Sequence, residues 1–467
     1  MADAISDVVI FVPGFGGSVL ERDGKVIWGA DGPTGLGALL AGGRDAVEAL
    51  RLAADDPARA EVDGVRATRI VAGPHMLPGV WKIEDYARIP ALVGRLVDLE
   101  PGGNYVEFAW DWRRDLRAAA RALAREAEAR LAAWGERSGV AEPRLVLIAH
   151  SAGAMVARYF LEALDGWKHA RALVTFGAPM RGTPAALGAL SGASLPPAAV
   201  EGGLVEVLRS FTSLHQMLPT YPAVQVGGGE ELVTVEQALE RAPLAGLDAG
   251  RVALAAALRA ELDEALGRHA NNPAYRESHY ALHSIVGTAQ TTPQSARVAD
   301  GAVELLRSYQ HRDLSGDGIV PRMSAQPTGQ AEQHATLLTS ARHAELHTDD
   351  RSLSYLLGIV ASVFMGAGPA TPPVRTRVGI DIVIPDVAHA GAPFSVRVLP
   401  EEGTLAGLRA TLERADTGEI VAEAELHPVA ERWHEGTLSA PRPGIHRVRL
   451  KGGEEVQPVA DILEILP

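Results

Sequence analysis

The stretch Leu145-Val146-Leu147-Ile148-Ala149-His150-Ser151-Ala152-Gly153 decides the fold. Four branched apolar residues in succession read as a strand buried on both faces, as in a parallel sheet. Small residues follow at once. Residues 154–164 then show helical spacing, with Val156, Tyr159, Phe160 and Ala163 on one side. Asp165-Gly166 ends that helix with a residue suited to a left-handed cap. Strand, tight turn and helix with a serine at the apex form the nucleophile elbow. The turn must be sharp for the Ser151 oxygen to stand clear of the sheet, so the positions two before and two after it must be small. They are Ala149 and Gly153. The usual form is Gly-x-Ser-x-Gly, and Ala149 departs from it by one methyl group. The competing reading is an ordinary buried strand followed by a serine-capped helix.

Working outward, residues 8–12 (VVIFV) form the first buried strand, which runs into Pro13-Gly14-Phe15-Gly16-Gly17-Ser18. No Gly-Lys-Ser/Thr follows, so this is not a phosphate-cradling P-loop. Beside an elbow it suits an oxyanion hole, which takes one backbone N–H after the nucleophile and one from a loop after an early strand. Ala152 supplies the first and Phe15 the second. The plainer reading of the loop is a tight turn. Residues 79–98 read as a helix and 105–109 as a strand, with Trp110-Asp111-Trp112-Arg113 at its carboxyl end. Residues 114–134 read as a long, mixed-charge helix and 171–176 as the next strand. The alternation implies an α/β fold with a mainly parallel sheet. Residues about 30–75 and 185–275 break the rhythm and read as cap insertions. Residues 251–268 are the clearest helix there, and a peripheral subdomain without a gating role is the bland alternative. Residues 281–287 and 335–339 return to strand, and 351–365 form a closing helix.

Gly366-Ala367-Gly368-Pro369-Ala370-Thr371-Pro372-Pro373 is a linker by composition. It divides residues 1–368 from 369–467. The second part shows seven short alternating runs, at 378–384, 394–398, 408–413, 420–426, 433–439, 445–450 and 459–465. These predict a β-sandwich of immunoglobulin or fibronectin type III character. No chemistry is visible in it, and binding a protein partner is its expected role.

Composition bounds the rest. The 467 residues are 47% hydrophobic, with a net charge of −14 and no cysteine. The acidic balance argues against nucleic acid and against an anionic membrane surface. The lack of thiols excludes disulfides, cysteine nucleophiles and thiolate metal sites, and it fits a reducing compartment. No stretch reaches the ~20 apolar residues of a membrane span, and the acidic N-terminus is unlike a signal peptide. The expectation is a soluble cytoplasmic protein that needs no cofactor and no metal.

An elbow serine is inert unless a base takes its proton and a carboxylate orients that base. On this kind of sheet the order along the chain is serine, acid, histidine. Ser151, Asp317 and His343 satisfy it. Asp317 sits in the tight turn Ser315-Gly316-Asp317-Gly318, and Asp313 competes with it from outside that turn. His343 follows the last strand closely, and His347 is one turn further on. His150 should point away from the serine, and His334 precedes the strand. A metal pair made by His343 and His347 lacks a third ligand.

These residues resemble the lecithin:cholesterol acyltransferase-like lipases of the α/β-hydrolase superfamily. The matching segments are residues 12–18, Asp111-Trp112-Arg113, the elbow, Phe176-Gly177-Ala178-Pro179 with Arg181-Gly182-Thr183-Pro184, residues 214–219, Gly316-Asp317-Gly318 with Val320-Pro321, and His343 with Leu346. The resemblance spans roughly residues 8–365. It implies hydrolysis or transfer of acyl groups on lipid esters, with Ser151, Asp317 and His343 as the triad. Two other readings stay open: an inactive hydrolase-fold scaffold, and a serine peptidase or amidase on the same fold.

Overall fold

Buried apolar strands lie side by side at the centre of the chain. The coordinates are a computed structural model and describe every residue except 1–2, 5, 31, 33–34, 96, 245, 279, 327–333, 366–369, 374–376 and 404. Six strands make the central sheet: β1 (Val8–Val12), β2 (Tyr105–Glu107), β3 (Leu145–His150), β4 (Ala170–Phe176), β5 (Ala281–Gly287) and β6 (His334–Thr339). Their order is β6-β5-β4-β3-β1-β2, and every pairing is parallel. All residues of β1 and β3 are buried, as unbroken apolar runs in a sheet covered on both faces require.

Five longer helices belong to this part: α1 (Leu116–Ser138), α2 (Ala152–Ala163), α3 (Pro184–Ser191), α4 (Ala249–Ala270) and α5 (Asp350–Met365). Asp115 caps α1, its side chain accepting from the Arg117 N–H, and Gly139 ends it in the left-handed region. Strand-to-helix alternation on a parallel sheet, with the elbow between β3 and α2, is the α/β-hydrolase fold.

One local expectation fails, and two regions hold strands that the sequence did not signal. Residues 79–98 are not a helix. They contain one arm of an antiparallel hairpin (His75–Leu77 with Trp81–Ile83), a short helix (Arg88–Val93) and a two-residue strand (Val97–Asp98). Gly79 turns the hairpin at φ +76°, and a Cβ there would strike the Ser194 carbonyl oxygen. The segment after the glycine-rich loop at 13–18 holds a three-stranded antiparallel sheet (Ser18–Arg22, Lys25–Trp28 and Val65–Ile70) that carried no clear signal. The 185–275 region contributes two short strands (Val224–Val226, Leu232–Val233) to a small sheet completed by Ser295–Ala299 and Ala302–Leu306. Of the composition-based linker, residues 366–369 lie outside the described residues.

The last part of the chain is a β-sandwich. Its strands are β7 (Ile380–Val383), β8 (Val387–His389), β9 (Pro393–Pro400), β10 (Arg409–Arg414), β11 (Ile420–Glu425), β12 (His427–Ala430), β13 (Trp433–Ser439), β14 (Gly444–Lys451) and β15 (Val459–Leu466). They form two sheets, β7-β9-β13-β12 and β8-β15-β14-β10-β11. The seven expected runs are all strands, and the short β8 and β12 are additional. Alternate residues of β9 are buried, as a half-covered strand requires. The sandwich packs directly on the hydrolase part. The Gln290 amide donates to the Ser340 and Ile380 carbonyls at 2.6 and 2.7 Å, and its oxygen accepts from the Ile382 N–H. Arg447 meets Glu84 through both carboxylate oxygens. Among the described residues no helix is long and apolar enough to cross a membrane.

Candidate active site

Ser151 sits at the elbow apex with φ 51° and ψ −126°, a region that non-glycine residues rarely occupy and that costs on the order of 1–3 kcal/mol. The surrounding packing holds it there. The Ser151 N–H donates to the Phe176 carbonyl at 2.8 Å. The small residues around the apex are required by contact: a Cβ on Gly153 would lie 2.3 Å from the Pro13 carbonyl oxygen. Ala149 is fully buried, and its methyl group fits where the motif more often has glycine.

His343 lies beside this serine. Its Nε2 is 2.9 Å from Ser151 Oγ, and its Nδ1 is 2.8 Å from Asp317 Oδ2. With the carboxylate as acceptor, Nδ1 carries the proton and Nε2 has a lone pair facing the hydroxyl. Asp317 is fixed in turn, since its Oδ1 accepts from the Ile319 and Val320 N–H groups at 2.9 and 2.7 Å. The main chain ties acid to base as well, with the His343 N–H donating to the Asp317 carbonyl. Gly177, just past β4, leaves room for both: a Cβ on it would lie 2.9 Å from Asp317 Oδ2 and from His343 Nδ1. All three side chains are buried.

The competing residues are occupied elsewhere. Asp313 Oδ1 accepts from the Gln294 amide and the Ser315 N–H. His347 Nε2 donates to the Asp85 carbonyl at 3.0 Å. His334 opens β6, at the far end of that strand from His343. His150 does not reach the serine oxygen. Its Nδ1 is 2.9 Å from the Tyr86 hydroxyl, and its Nε2 is 3.2 Å from the His343 carbonyl. The carbonyl can only accept, so Nε2 carries the proton and Nδ1 accepts from Tyr86. Burial, then the neighbouring His347 and His343, hold His150 neutral well below the usual histidine range.

The loop at 13–18 is clamped from every side. The indole of Trp110 donates to the Pro13 carbonyl at 2.9 Å, that of Trp28 to Gly16 at 2.9 Å, and that of Trp112 to Ser18 at 3.1 Å. The Gly14 N–H donates to the Tyr86 hydroxyl at 3.1 Å, and the Gly17 N–H donates to the Gly14 carbonyl. Burial pushes the Tyr86 phenol up, so it stays protonated. Among the described residues, the N–H groups of Phe15 and Ala152 donate to no protein acceptor. Sequence reasoning singled out Phe15 and Ala152 but missed Tyr86, Trp28 and Trp110 as supports. The Trp110-Asp111-Trp112 run was visible, but its purpose was not.

Over Ser151 lies a narrow, mainly apolar crevice whose walls include Phe15, Trp81, Ala186, Ala189, Leu214 and Met217. Its walls come from the loop at 13–18, the hairpin, α3 and the short helix Thr212–Gln216 with Met217 after it. The expected cap region thus contributes to the site. Among the described residues no group of three His, Asp or Glu side chains has the geometry to hold a metal ion.

Fold and site geometry define an α/β-hydrolase-fold protein with a buried Ser–His–Asp hydrogen-bond chain. The sequence model of the lecithin:cholesterol acyltransferase family matches residues 91–241, the stretch that holds α1, the elbow and α3. Over that stretch the chain is similar to the lecithin:cholesterol acyltransferase family, and the C-terminal β-sandwich lies outside the matched residues. No curated protein matches it in sequence. Among solved structures, the propeptide form of the Bacillus licheniformis lipase BlEst2 is 10% identical, with 99% of this chain and 95% of that one covered and a TM-score of 0.37. The phospholipase PlaB from Legionella pneumophila is also 10% identical, covering 97% and 90% at a TM-score of 0.33.

Proposed function

We propose that the protein is a serine hydrolase of acyl esters, with lipid esters as its substrate class, working through Ser151, His343 and Asp317. The observation that carries this is the unbroken chain Ser151 Oγ–His343 Nε2 and His343 Nδ1–Asp317 Oδ2, at 2.9 and 2.8 Å, under an apolar crevice. His343 removes the Ser151 proton as the oxygen attacks the ester carbonyl. The carbonyl oxygen becomes an oxyanion and accepts from the Phe15 and Ala152 N–H groups, which have no protein acceptor among the described residues. His343 then passes its proton to the departing alcohol, leaving an acyl-serine. Water activated by the same imidazole releases the acid and restores the serine, and an acceptor alcohol in its place gives transfer. Asp317 stays ionised and fixes the tautomer. The apolar crevice suits an acyl chain, and the family match supports lipid esters as the class.

The test is covalent. A fluorophosphonate probe labels only an activated serine, and it should modify the tryptic peptide that contains Ser151. A folded chain that ignores the probe and hydrolyses no p-nitrophenyl acyl ester would be a scaffold and not an enzyme. Product partitioning with added alcohol then separates hydrolysis from transfer.

The loop clamp carries its own expected result. Tyr86→Phe removes the acceptor of the Gly14 N–H and leaves that buried donor unpaired, at a cost of about 1–3 kcal/mol. Because the neighbouring amide is the oxyanion donor, part of that cost falls on the transition state. We expect kcat to fall about tenfold while KM for a short p-nitrophenyl ester changes little. An unchanged kcat would remove Tyr86 from the mechanism.

A further inference from the structure

The sandwich reaches into the active site. Asp461, on β15, is buried and lies between two cations of the hydrolase part. Its carboxylate is 3.0 Å from Lys82 Nζ and 3.0 Å from Arg342 Nε. Lys82 belongs to the hairpin strand Trp81–Ile83 and lines the crevice over Ser151. It also meets Asp386, just before β8, at 2.8 Å. The other oxygen of Asp386 accepts from the Gly79 N–H in the hairpin turn. Arg342 immediately precedes His343. Its guanidinium covers the turn that carries Asp317, since a Cβ on Gly318 would lie 2.9 Å from its Nη2, and its Nη1 donates to the Ile382 carbonyl on β7 at 2.6 Å. A second passage beside the triad runs between Lys82, Asp317, Arg342, Asp386 and Asp461. Carboxylates of the sandwich therefore face both the crevice wall and the acid–base pair.

We propose that the C-terminal sandwich is a working wall of the active site, with Asp461 the positioning residue that holds Lys82 of the crevice wall and Arg342 beside the Asp317–His343 pair. The inference rests on the hydrolase reading and goes beyond it, because no residue of the sandwich belongs to the triad or the oxyanion loop. The physical reason is balance. The Arg342 guanidinium lies over the turn that carries Asp317 and interacts with that carboxylate, and Asp461 offsets its charge there. The bridge also fixes the hairpin wall. Displacement of a reacting group by about 1 Å costs up to ~10² in rate.

The charged groups around this bridge set the sign of the test. Asp461, Asp381, Asp386 and Asp317 surround Arg342. Asp317 bonds His343, and His150 packs on it at 5.0 Å between ring centres, with His347 against His150. Asp461→Asn leaves Arg342 with less compensation and disfavours the imidazolium. The acidic limb of the kcat/KM profile should then move to lower pH by roughly half a unit, with kcat/KM down about tenfold. Arg342→Gln removes the cation and should move the limb to higher pH. The double variant should return it close to its original place.

The measurement is the pH profile of p-nitrophenyl ester hydrolysis by the full chain, with melting temperatures and Ser151→Ala alongside. Opposite limb shifts in the two single variants support the bridge. Unmoved limbs with loss of melting temperature alone would overturn it and reduce the contact to a structural one. Should Asp461→Asn fail to fold, Arg342→Gln decides by itself: an upward limb supports the proposal and an unmoved one ends it. If wild-type turnover persists in Ser151→Ala, the hydrolase reading falls first. If it vanishes there while both single variants behave as wild type, only the role of the sandwich falls.

Discussion

Replacing Asp317 by Asn should lower kcat by about 10⁴ while leaving the fold intact. The geometry explains why so small a change does so much. Oδ1 of Asp317 accepts from the Ile319 and Val320 N–H groups, and Oδ2 faces His343 Nδ1. An asparagine must put its carbonyl oxygen toward the two amides, because only an oxygen can accept from them. Its NH₂ group then faces the imidazole. Nδ1 has to become the acceptor, the proton moves to Nε2, and no lone pair is left to take the Ser151 proton. Ser151→Ala and His343→Ala remove the reacting groups themselves and should each cost about 10⁶ in kcat, the scale known for a serine hydrolase on another fold. Steady-state hydrolysis of a p-nitrophenyl ester reads all three. An Asn variant that kept more than a few per cent of wild-type kcat would remove Asp317 from its role.

Acid should destabilise this protein between pH 7 and 5, above the range in which an ordinary carboxylate titrates. Burial is the main cause in each of three histidines that are held neutral: His150 well below the usual range, His347 lowered to about 3 and His215 to about 4. An unfolded histidine titrates near 6.5. The folded state therefore binds fewer protons than the unfolded one between these values. The stability involved is present above about pH 6.5 and is lost as pH falls toward the folded-state values. Each such group costs about 1.4 kcal/mol per pH unit, so His347 and His215 together cost about 4 kcal/mol between pH 6.5 and 5, and His150 acts in the same direction. Glu345 works the other way. Burial raises it to about 8, so its protonated form favours folding as pH falls toward 4.5, and it returns about 2 kcal/mol over the same interval. His347 and His215 outweigh Glu345 by roughly 2 kcal/mol, and His150 adds to that loss, against a typical 5–15 kcal/mol total. Urea midpoints should fall steeply from pH 7 to 5, and a flat line across that range would contradict the burial of these imidazoles as neutral groups.

Much of the architecture could be read in the chain because its signals are local. Unbroken apolar runs such as VVIFV and LVLIA have few alternatives to a doubly covered strand, and the alternating runs past residue 378 read as a sandwich for the same reason. Ser151, Asp317 and His343 could be nominated because chain order limits which acid and which histidine can meet an elbow serine. The hairpin His75–Ile83 misled because Val80, Trp81 and Ile83 also fit a helical face, and the choice was made by Gly79 lodged against the Ser194 backbone. Tyr86 and the three indoles could not be foreseen as supports. A side chain that reaches a carbonyl 97 positions away, as Trp110 does to Pro13, leaves no trace in local pattern. The sandwich looked chemically empty for the same reason, since Asp461 acquires meaning only beside Lys82.

Those two residues stand 379 positions apart. A ribosome will have laid down the elbow, the acid, the imidazole and the whole central sheet before it adds the aspartate. Throughout that interval the emerging hydrolase portion has its lysine and arginine waiting for an anion not yet made. On the proposed reading, the wall of the crevice is completed only once residue 461 has been added, and a shorter nascent chain lacks that anion.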